Sequence, residues 1–191
     1  METPNPSYSC RLQPLQPEYS FTLTPAALVV ERAGKTARIS YRDIESVRLS
    51  FLPRGLHATG FRTHIRAVAT RPAKFDDGTF TTGFLQERRS ADYRAFVMAL
   101  VSEVRKNNPR ARIFGGRPQW LQYVTALFGG AFSLALLLVA WRASMGERLL
   151  SGVMLATFAL IFAAWTWRFV QRNQPCEING VIPEDLLPPG A

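Results

Sequence analysis

Two carboxylates one residue apart, Asp43 and Glu45, are the first candidates for an acid–base site. Two carboxyl groups in a cleft can divide the roles of general acid and general base when their surroundings separate their pKa values. This pair, however, lies in ISYRDIESVRL (39–49), where the alternation of apolar residues changes phase, as it does at a bend between strands. Asp often occupies such bends because its side chain accepts nearby backbone N–H groups. We therefore interpret Asp43 as part of a turn and expect Glu45 to face water beside Arg42 or Arg48.

The other residue types that carry chemistry also lack a productive spacing. His57 and His64 are seven residues apart, which is not the i, i+4 spacing of a helical zinc site. Cys10 and Cys176 lie near opposite ends of the chain, so we expect free thiols rather than metal ligands or a disulfide framework. No serine lies in a G-x-S-x-G elbow, and the glycine pair at 115–116 leads into a linker rather than a phosphate loop. The sequence predicts a protein that is not an enzyme, with no catalytic residue, metal site or cofactor.

Two long apolar runs predict where the chain is located. One is WLQYVTALFGGAFSLALLLVAW (120–141) and the other is LLSGVMLATFALIFAAWTWRFV (149–170). Each would form a helix ~33 Å long, which matches a bilayer hydrocarbon core of ~30 Å. Aromatic residues cluster at the ends of both runs, as they do at membrane interfaces. The short segment 142–148 between them predicts an antiparallel transmembrane hairpin.

The charged residues around this hairpin predict its orientation. Five cations precede the first run, whereas the connecting segment holds only Arg142 and Arg148, so we expect both termini in the cytoplasm. The five are Arg105, Lys106, Arg110, Arg112 and Arg117. Residues 1–19 contain four prolines and no apolar segment, and we expect no signal peptide there. Neither run contains Asp, Glu, Lys or His, so the sequence gives no indication of an ion or proton pathway.

Small residues recur on one face of each predicted membrane helix. Such residues let two helix backbones approach closely in lipid. They either pack the two helices against each other, which is the simpler interpretation, or dock another membrane subunit. They are Gly129 and Ser133 in the first helix and Gly152, Ala156, Ala159 and Ala163 in the second.

The region before the membrane segments combines strands with one helix. Residues 19–89 contain short β-rich segments separated by turn signals, including Ala33-Gly34-Lys35 and Asp76-Asp77-Gly78, which favours a sandwich or barrel. The period then changes, and an amphipathic helix is predicted from an N-cap at Ser90 to the stop at Pro109. Its apolar face consists of Tyr93, Phe96, Val97, Leu100, Val101 and Val104.

This order of elements, together with LVVERAGKTARISYRDIESVRLSF (28–51), resembles the bacterial pleckstrin-homology-like membrane proteins. The tail QPCEINGVIPEDLLP (174–188) is similar to the short proline-containing tails of that family. The resemblance implies an α+β fold, in which a split β-barrel of about seven antiparallel strands is closed by a C-terminal helix and tethered to the membrane hairpin. It implies a bacterial inner-membrane location and partner binding, and it carries over no catalytic residue.

The expected organisation has five parts. They are a flexible N-terminus (1–17), the pleckstrin-homology-like domain (18–109), a basic juxtamembrane linker (110–118), the membrane hairpin (119–171) and a C-terminal tail (172–191). Two alternatives stay open for the tail: it folds back on the domain through its apolar residues, or it is disordered.

The positive charge of the chain indicates which partners to expect. Of the 23 basic and 14 acidic residues, 19 and 10 lie in 1–118, so that part carries the formal charge of +9. Because basic residues beside a membrane are explained by orientation and no stacking pattern is present, we expect no nucleic acid. Arg32, Lys35 and Arg38 surround the first hairpin turn and either converge on an anionic headgroup or form a solvated hairpin. The five juxtamembrane cations form a second group that anionic lipid would attract.

Two functions follow from these expectations. The leading one is a non-catalytic docking or scaffold protein, an accessory subunit or assembly factor of an inner-membrane complex that binds a membrane protein or a second copy of itself. The alternative is a sensor of anionic lipid headgroups at the cytoplasmic face.

Overall fold

The computed structural model describes residues 5–53, 59–68, 70–81, 86–146 and 149–189. The chain forms two compact units. The sheet unit runs to Gly116 and resumes at Cys176, and the helical unit is Arg117–Pro175. The C-terminal segment therefore belongs to the same unit as the strands at the start of the chain.

The sheet unit is an α+β structure with three open sheets. In the described residues its strands are β1 (Ser7–Cys10), β2 (Tyr19–Leu23), β3 (Ala27–Arg32), β4 (Lys35–Ser40), β5 (Ile44–Pro53), β6 (Thr59–Ala67), β7 (Ala73–Asp76), β8 (Gly78–Phe80), β9 (Gln86–Arg88), β10 (Arg112–Gly115) and β11 (Cys176–Glu177). Their orders are β1-β2-β3-β4, β11-β10-β5-β6-β7 and β8-β9. The expected barrel of seven strands is wrong. Local alternation indicates that strands exist, whereas closure of a sheet depends on long-range pairings that the pattern does not contain.

Helix α1 (Ser90–Asn107) supplies the apolar face that covers the sheets. All six residues predicted for this face are buried, which confirms the helical period. Ser90 is already helical, and Arg89 takes the N-cap position that was predicted for Ser90. On the buried side, the ring of Phe75 lies 5.5 Å from that of Phe96 and 4.9 Å from that of Phe21. The core of the sheet unit therefore lies between α1 and the inner faces of the strands.

The first strand corrects the prediction of a flexible segment at 1–17. β1 pairs with β2 in antiparallel register, and its residues Tyr8 and Cys10 are buried. The Tyr8 hydroxyl donates to the carbonyl oxygen of Asp76 across 2.5 Å. A strand of four residues between prolines is too short for a periodic signal. Its strand conformation is therefore determined by pairing with β2.

The segment expected to be a linker is also a strand. β10 lies parallel to β5, with Ile113 opposite Val47, and it pairs on its other side with β11. Beyond β11 the tail packs on the sheet unit through four buried apolar residues: Ile178, Ile182, Leu186 and Leu187. Of the two alternatives for the tail, the structure has the one in which it folds back.

The bend at 41–45 has the predicted place but a different chemistry. Tyr41–Asp43 form one turn of 3-10 helix, in which the Ser40 hydroxyl accepts the N–H of Arg42. Ile44 is buried, as expected of an apolar residue that ties the bend to the core. Glu45 is exposed, as predicted, but its partner is different: it lies at a register shift of β5 and binds Nε of Arg66 at 3.0 Å, not Arg42 or Arg48. The partner of Glu45 is determined by the pairing of β5 with β6, and the local sequence pattern contains no information about that pairing.

The helical unit consists of α2 (Gln119–Met145) and α3 (Leu149–Arg172). Both helices are long and apolar enough to cross a membrane. Helix α2 continues about one turn past the predicted end at 141, so Arg142 is helical rather than part of a loop. Glu147 and Arg148 of the predicted connection lie outside the described residues.

Candidate anion-binding surfaces

The histidines, cysteines and carboxylates in the described part of the chain form no metal site. Among those residues no group of three or more His, Cys, Asp and Glu could hold a metal ion. His64 is half-buried on the outer face of β6, and His57 is outside the described residues. Cys10 is buried, Cys176 is exposed, and neither forms a disulfide. The remaining candidates for a site are the cations of the sheet unit.

The three cations near the first hairpin turn do not converge. Arg32 and Lys35 are direct partners in the β3–β4 ladder, and the guanidinium of Arg32 lies 4.7 Å above the ring of Tyr19. Arg38 has the opposite parity to the buried Ile39 and therefore points to the other face of the sheet. Three donors that share one turn in sequence are thus divided between two faces, and one phosphate cannot bind all three.

The juxtamembrane cations separate into three environments. Arg105, Arg110 and Arg112 line one cleft of about 400 Å³ at the C-terminal end of α1, and we call this site the arginine cleft. Lys106 is exposed on α1. Arg117 belongs to the helical unit, where its guanidinium lies 4.9 Å from the ring of Phe169. The tertiary structure therefore brings together three of the five.

The walls of the arginine cleft come from α1, β10 and the returning tail. Nη2 of Arg105 donates to the carbonyl oxygen of Ile178 across 2.9 Å, which fixes this guanidinium against the tail. Arg110 and Arg112 are exposed, so their charged groups are open to solvent at the cleft. Glu177 and Asn179 of the tail also line it. Three guanidinium groups against one carboxylate leave the cleft with an excess of positive charge.

Asn108 positions the loop that carries Arg110. Its Oδ1 accepts the backbone N–H of Arg110 at 3.2 Å, and its carbonyl oxygen accepts that of Ala111 at 3.1 Å. Its Nδ2 donates to the carbonyl oxygens of Arg42 and Ile44, each at 3.0 Å. One asparagine therefore holds the cleft loop to the bend between β4 and β5.

A second basic surface was missed by sequence reasoning. On the outer face of the five-stranded sheet, Arg48, His64 and Lys74 are direct partners on β5, β6 and β7, and we call them the cationic row. The signal that could have found this surface was the alternation in FRTHIRA (61–67), where every second residue from Arg62 is basic. Without the strand order, however, the alternation does not show which cations become neighbours.

Burial and charge act together on the histidine of the cationic row. Burial lowers the pKa of His64 below its ordinary value, and the positive charges of Lys74, Arg48, Arg62 and Arg66 lower it further. Both effects favour the uncharged imidazole. Because an anion above the row would offset those neighbouring charges, it would favour the protonated form.

Two further basic residues of this face are already paired. Arg62 binds Asp76 through two hydrogen bonds of 2.6 and 2.8 Å, and Arg66 binds Glu45. The described residues place no carboxylate within ion-pair distance of Arg48 or Lys74. These two cations of the row thus keep their charge available for a ligand.

The small residues predicted to pack membrane helices lie at the contact between α2 and α3. Gly129, Ser133, Gly152 and Ala159 are buried there, and Ala156 and Ala163 are half-buried. A Cβ atom added at Gly129 would meet the side chain of Thr166. A Cβ at Gly152 would lie 2.9 Å from the carbonyl oxygen of Ala140. Close backbone approach within the hairpin therefore depends on these positions.

Comparison of the chain with protein-family models, with curated proteins and with solved structures gave no match. The functional proposals below rest on the chain's own geometry and charge.

Proposed function

We propose that this protein is a non-catalytic, membrane-anchored domain that binds anionic lipid headgroups in the arginine cleft. The single observation that carries the proposal is that Arg105, Arg110 and Arg112 line one cleft of about 400 Å³. Guanidinium groups match the planar and tetrahedral oxyanions of headgroups through paired N–H donors. A cleft of this size accommodates a headgroup, and its walls are provided by three separate segments of the chain.

The proposed setting is the cytoplasmic face of a bacterial inner membrane, with a pleckstrin-homology-like sheet unit on a two-helix anchor. The support is the membrane-length pair α2 and α3, the basic residues that precede α2, and α1 packed against open sheets. Arg112 precedes Gln119 by seven residues, and an extended chain of that length spans at most about 25 Å. This connection is short enough to allow the cleft to reach headgroups at the start of α2.

The experiment titrates the full chain in a mild non-ionic detergent with short-chain phosphatidylglycerol, short-chain phosphatidylcholine and inorganic phosphate. Calorimetry measures each affinity. We expect phosphatidylglycerol to bind and phosphatidylcholine not to bind. Comparison with inorganic phosphate separates a lipid site from a site for free phosphate.

The decisive variant is Arg110→Gln/Arg112→Gln, because both side chains are exposed and form no hydrogen bond or ion pair with the described residues. Each cation near an anionic lipid contributes about 1 kcal/mol, so the pair should weaken binding by about 2 kcal/mol, or roughly thirtyfold. The matched control is Arg32→Gln/Lys35→Gln, which removes the same charge at the β3–β4 turn. If both variants lose the same affinity for phosphatidylglycerol, the lipid is attracted by the overall charge of the sheet unit. That result would reject the cleft as the binding site.

A second candidate function is docking of a membrane protein or of a second copy of this chain. The observation that favours it is β4, an edge strand of the four-stranded sheet, whose residues 35–38 are exposed. An exposed edge strand can accept a partner strand through its backbone groups. Pull-down of the full chain in mild detergent tests it, with Ala37→Lys as the edge variant and differently tagged copies to detect self-association. If the unmodified chain recovers a stoichiometric partner and Ala37→Lys does not, docking at β4 is supported. If both recover the same amount of partner, β4 is not the docking edge.

A further inference from the structure

The outer face of the five-stranded sheet holds two cations, Arg48 and Lys74, that have no carboxylate within ion-pair distance among the described residues. The cationic row crosses the strands, with Arg48 opposite His64 and His64 opposite Lys74. On the far side of β5 the row continues to Phe114 of β10, whose ring lies 4.8 Å below the guanidinium of Arg48. From β10 to β7 there are three interstrand spacings, or about 14 Å.

Arg48 has a defined position within this face. Its Nη1 donates to the carbonyl oxygen of Gly116 at 3.3 Å, and its guanidinium stacks on Phe114. Because β10 and β6 flank β5 on opposite sides, this guanidinium leans away from His64. The positive charges of the row are therefore spread along the face rather than focused on one point.

We propose that the outer face of the five-stranded sheet binds an extended acidic segment of a partner protein, with Arg48, His64 and Lys74 facing its carboxylates. Four to five residues of extended chain cover about 14 Å. Carboxylates on alternate residues of such a segment meet cations that are spread over several strands. This surface differs from the arginine cleft and does not depend on the headgroup proposal.

The charge pattern favours an acidic segment over a membrane surface. Glu45 and Glu177 are exposed on or beside this face, and Asp76 already binds Arg62. A continuous anionic bilayer would meet these carboxylates together with the cations, whereas a single chain can pass between them. A lone phosphate would contact only one end of the row, because Arg48 leans away from the other cations.

His64 makes the proposed binding dependent on pH. The charged groups that act on it are Lys74 on β7, Arg48 on β5, and Arg62 and Arg66 on its own strand. Their charges and burial lower the pKa of His64 in the unbound protein, and bound carboxylates raise it. Binding therefore takes up a proton, and affinity increases as the pH falls from 7.5 to 5.5. The increase is at most about tenfold for each unit by which binding raises this pKa.

The test uses the full chain in nanodiscs of zwitterionic lipid and a fluorescent peptide of eight residues that alternates glutamate with threonine. Anisotropy reports binding, and a peptide with glutamine in place of glutamate is the ligand control. Lys74→Glu reverses an exposed charge of the row and should weaken binding at least tenfold. Lys35→Glu, an identical change at an exposed lysine of β4, should leave the affinity unchanged. His64→Gln should keep binding and abolish its pH dependence.

Each other outcome overturns the proposal. Binding of the glutamine peptide with equal affinity, or no measurable binding of the acidic one, removes the electrostatic basis. If Lys74→Glu and Lys35→Glu lose the same affinity for the peptide, binding depends on the net charge of the protein and not on the cationic row. If a single-stranded oligodeoxynucleotide or phosphatidylglycerol vesicles bind more tightly than the peptide, and Lys74→Glu weakens that binding, the surface recognises that ligand instead.

Discussion

Asn108 and Ile44 are 64 residues apart in the chain, and the side-chain amide of Asn108 donates to the carbonyl oxygen of Ile44 across 3.0 Å. The same Nδ2 donates to the carbonyl oxygen of Arg42. These bonds fasten the end of α1 to the bend between the two larger sheets. The relationship also explains why the cleft loop has a fixed position, since Oδ1 of Asn108 accepts the N–H of Arg110.

Removing this amide should destabilise the sheet unit. In Asn108→Ala the carbonyl oxygens of Arg42 and Ile44 lose their donor, and we expect a loss of about 1–3 kcal/mol in the free energy of unfolding. Denaturant unfolding of the full chain in detergent measures it. The matched control is Asn107→Ala, because in the described part of the chain the side chain of Asn107 donates within its own helix, to Glu103. A control variant that loses as much stability as Asn108→Ala would contradict the role assigned to Asn108.

Gly115 should be needed for the return of the tail. A Cβ at this position would meet the side chain of Leu186 and would lie 2.6 Å from Sγ of Cys176. Overpacking of this kind costs about 1–3 kcal/mol, so Gly115→Ala should loosen the tail. Limited proteolysis of residues 176–189 measures the loosening as faster cleavage.

Gly180→Ala is the matched control for Gly115→Ala, since nothing lies within 4 Å of the added methyl group. Combining Gly115→Ala with Leu186→Ala should restore part of the protection by removing one of the colliding side chains. If Gly115→Ala is cleaved at the rate of the unmodified chain, the tail does not depend on this contact.

Two neighbouring glycines of α2 should respond differently to the same substitution. A side chain at Gly129 meets Thr166 of α3, whereas one at Gly130 meets nothing within 4 Å. Both substitutions remove a glycine from a helix, so the difference between them reports packing alone. We expect Gly129→Leu to destabilise the hairpin by about 1–3 kcal/mol relative to Gly130→Leu. Thermal unfolding in detergent gives the comparison, and equal melting temperatures would be inconsistent with the α2–α3 contact.

Several elements were predictable because their signals are local. The apolar period of α1, the two membrane-length helices and the turn at Ala33-Gly34 each depend on residues within a few positions of one another. At that turn φ is 48° at Ala33 and 76° at Gly34, the left-handed conformation that glycine adopts readily. Local periodicity and turn chemistry are properties of the sequence itself.

The two basic surfaces were not predictable to the same extent. Arg105, Arg110 and Arg112 were recognised as a group, but only the pairing of β10 with β5 and β11 makes them line one cleft. The sequence separates Arg48 from Lys74 by 26 residues, and only the order β5-β6-β7 makes them members of one row. Two short strands, β1 and β10, lie in segments that had been expected to be flexible or linking.

The sequence by itself determined the types and order of the main elements: strands, then an amphipathic helix, then two apolar helices long enough for a membrane. It also contains no spacing typical of catalysis. The tertiary structure alone decided which strands became neighbours, where the tail returned, and which cations share a surface. The physical reason is that helical period and hydrophobic length arise within one segment. Strand order and register arise from pairings between distant segments, and a shift of one residue moves every side chain to the opposite face.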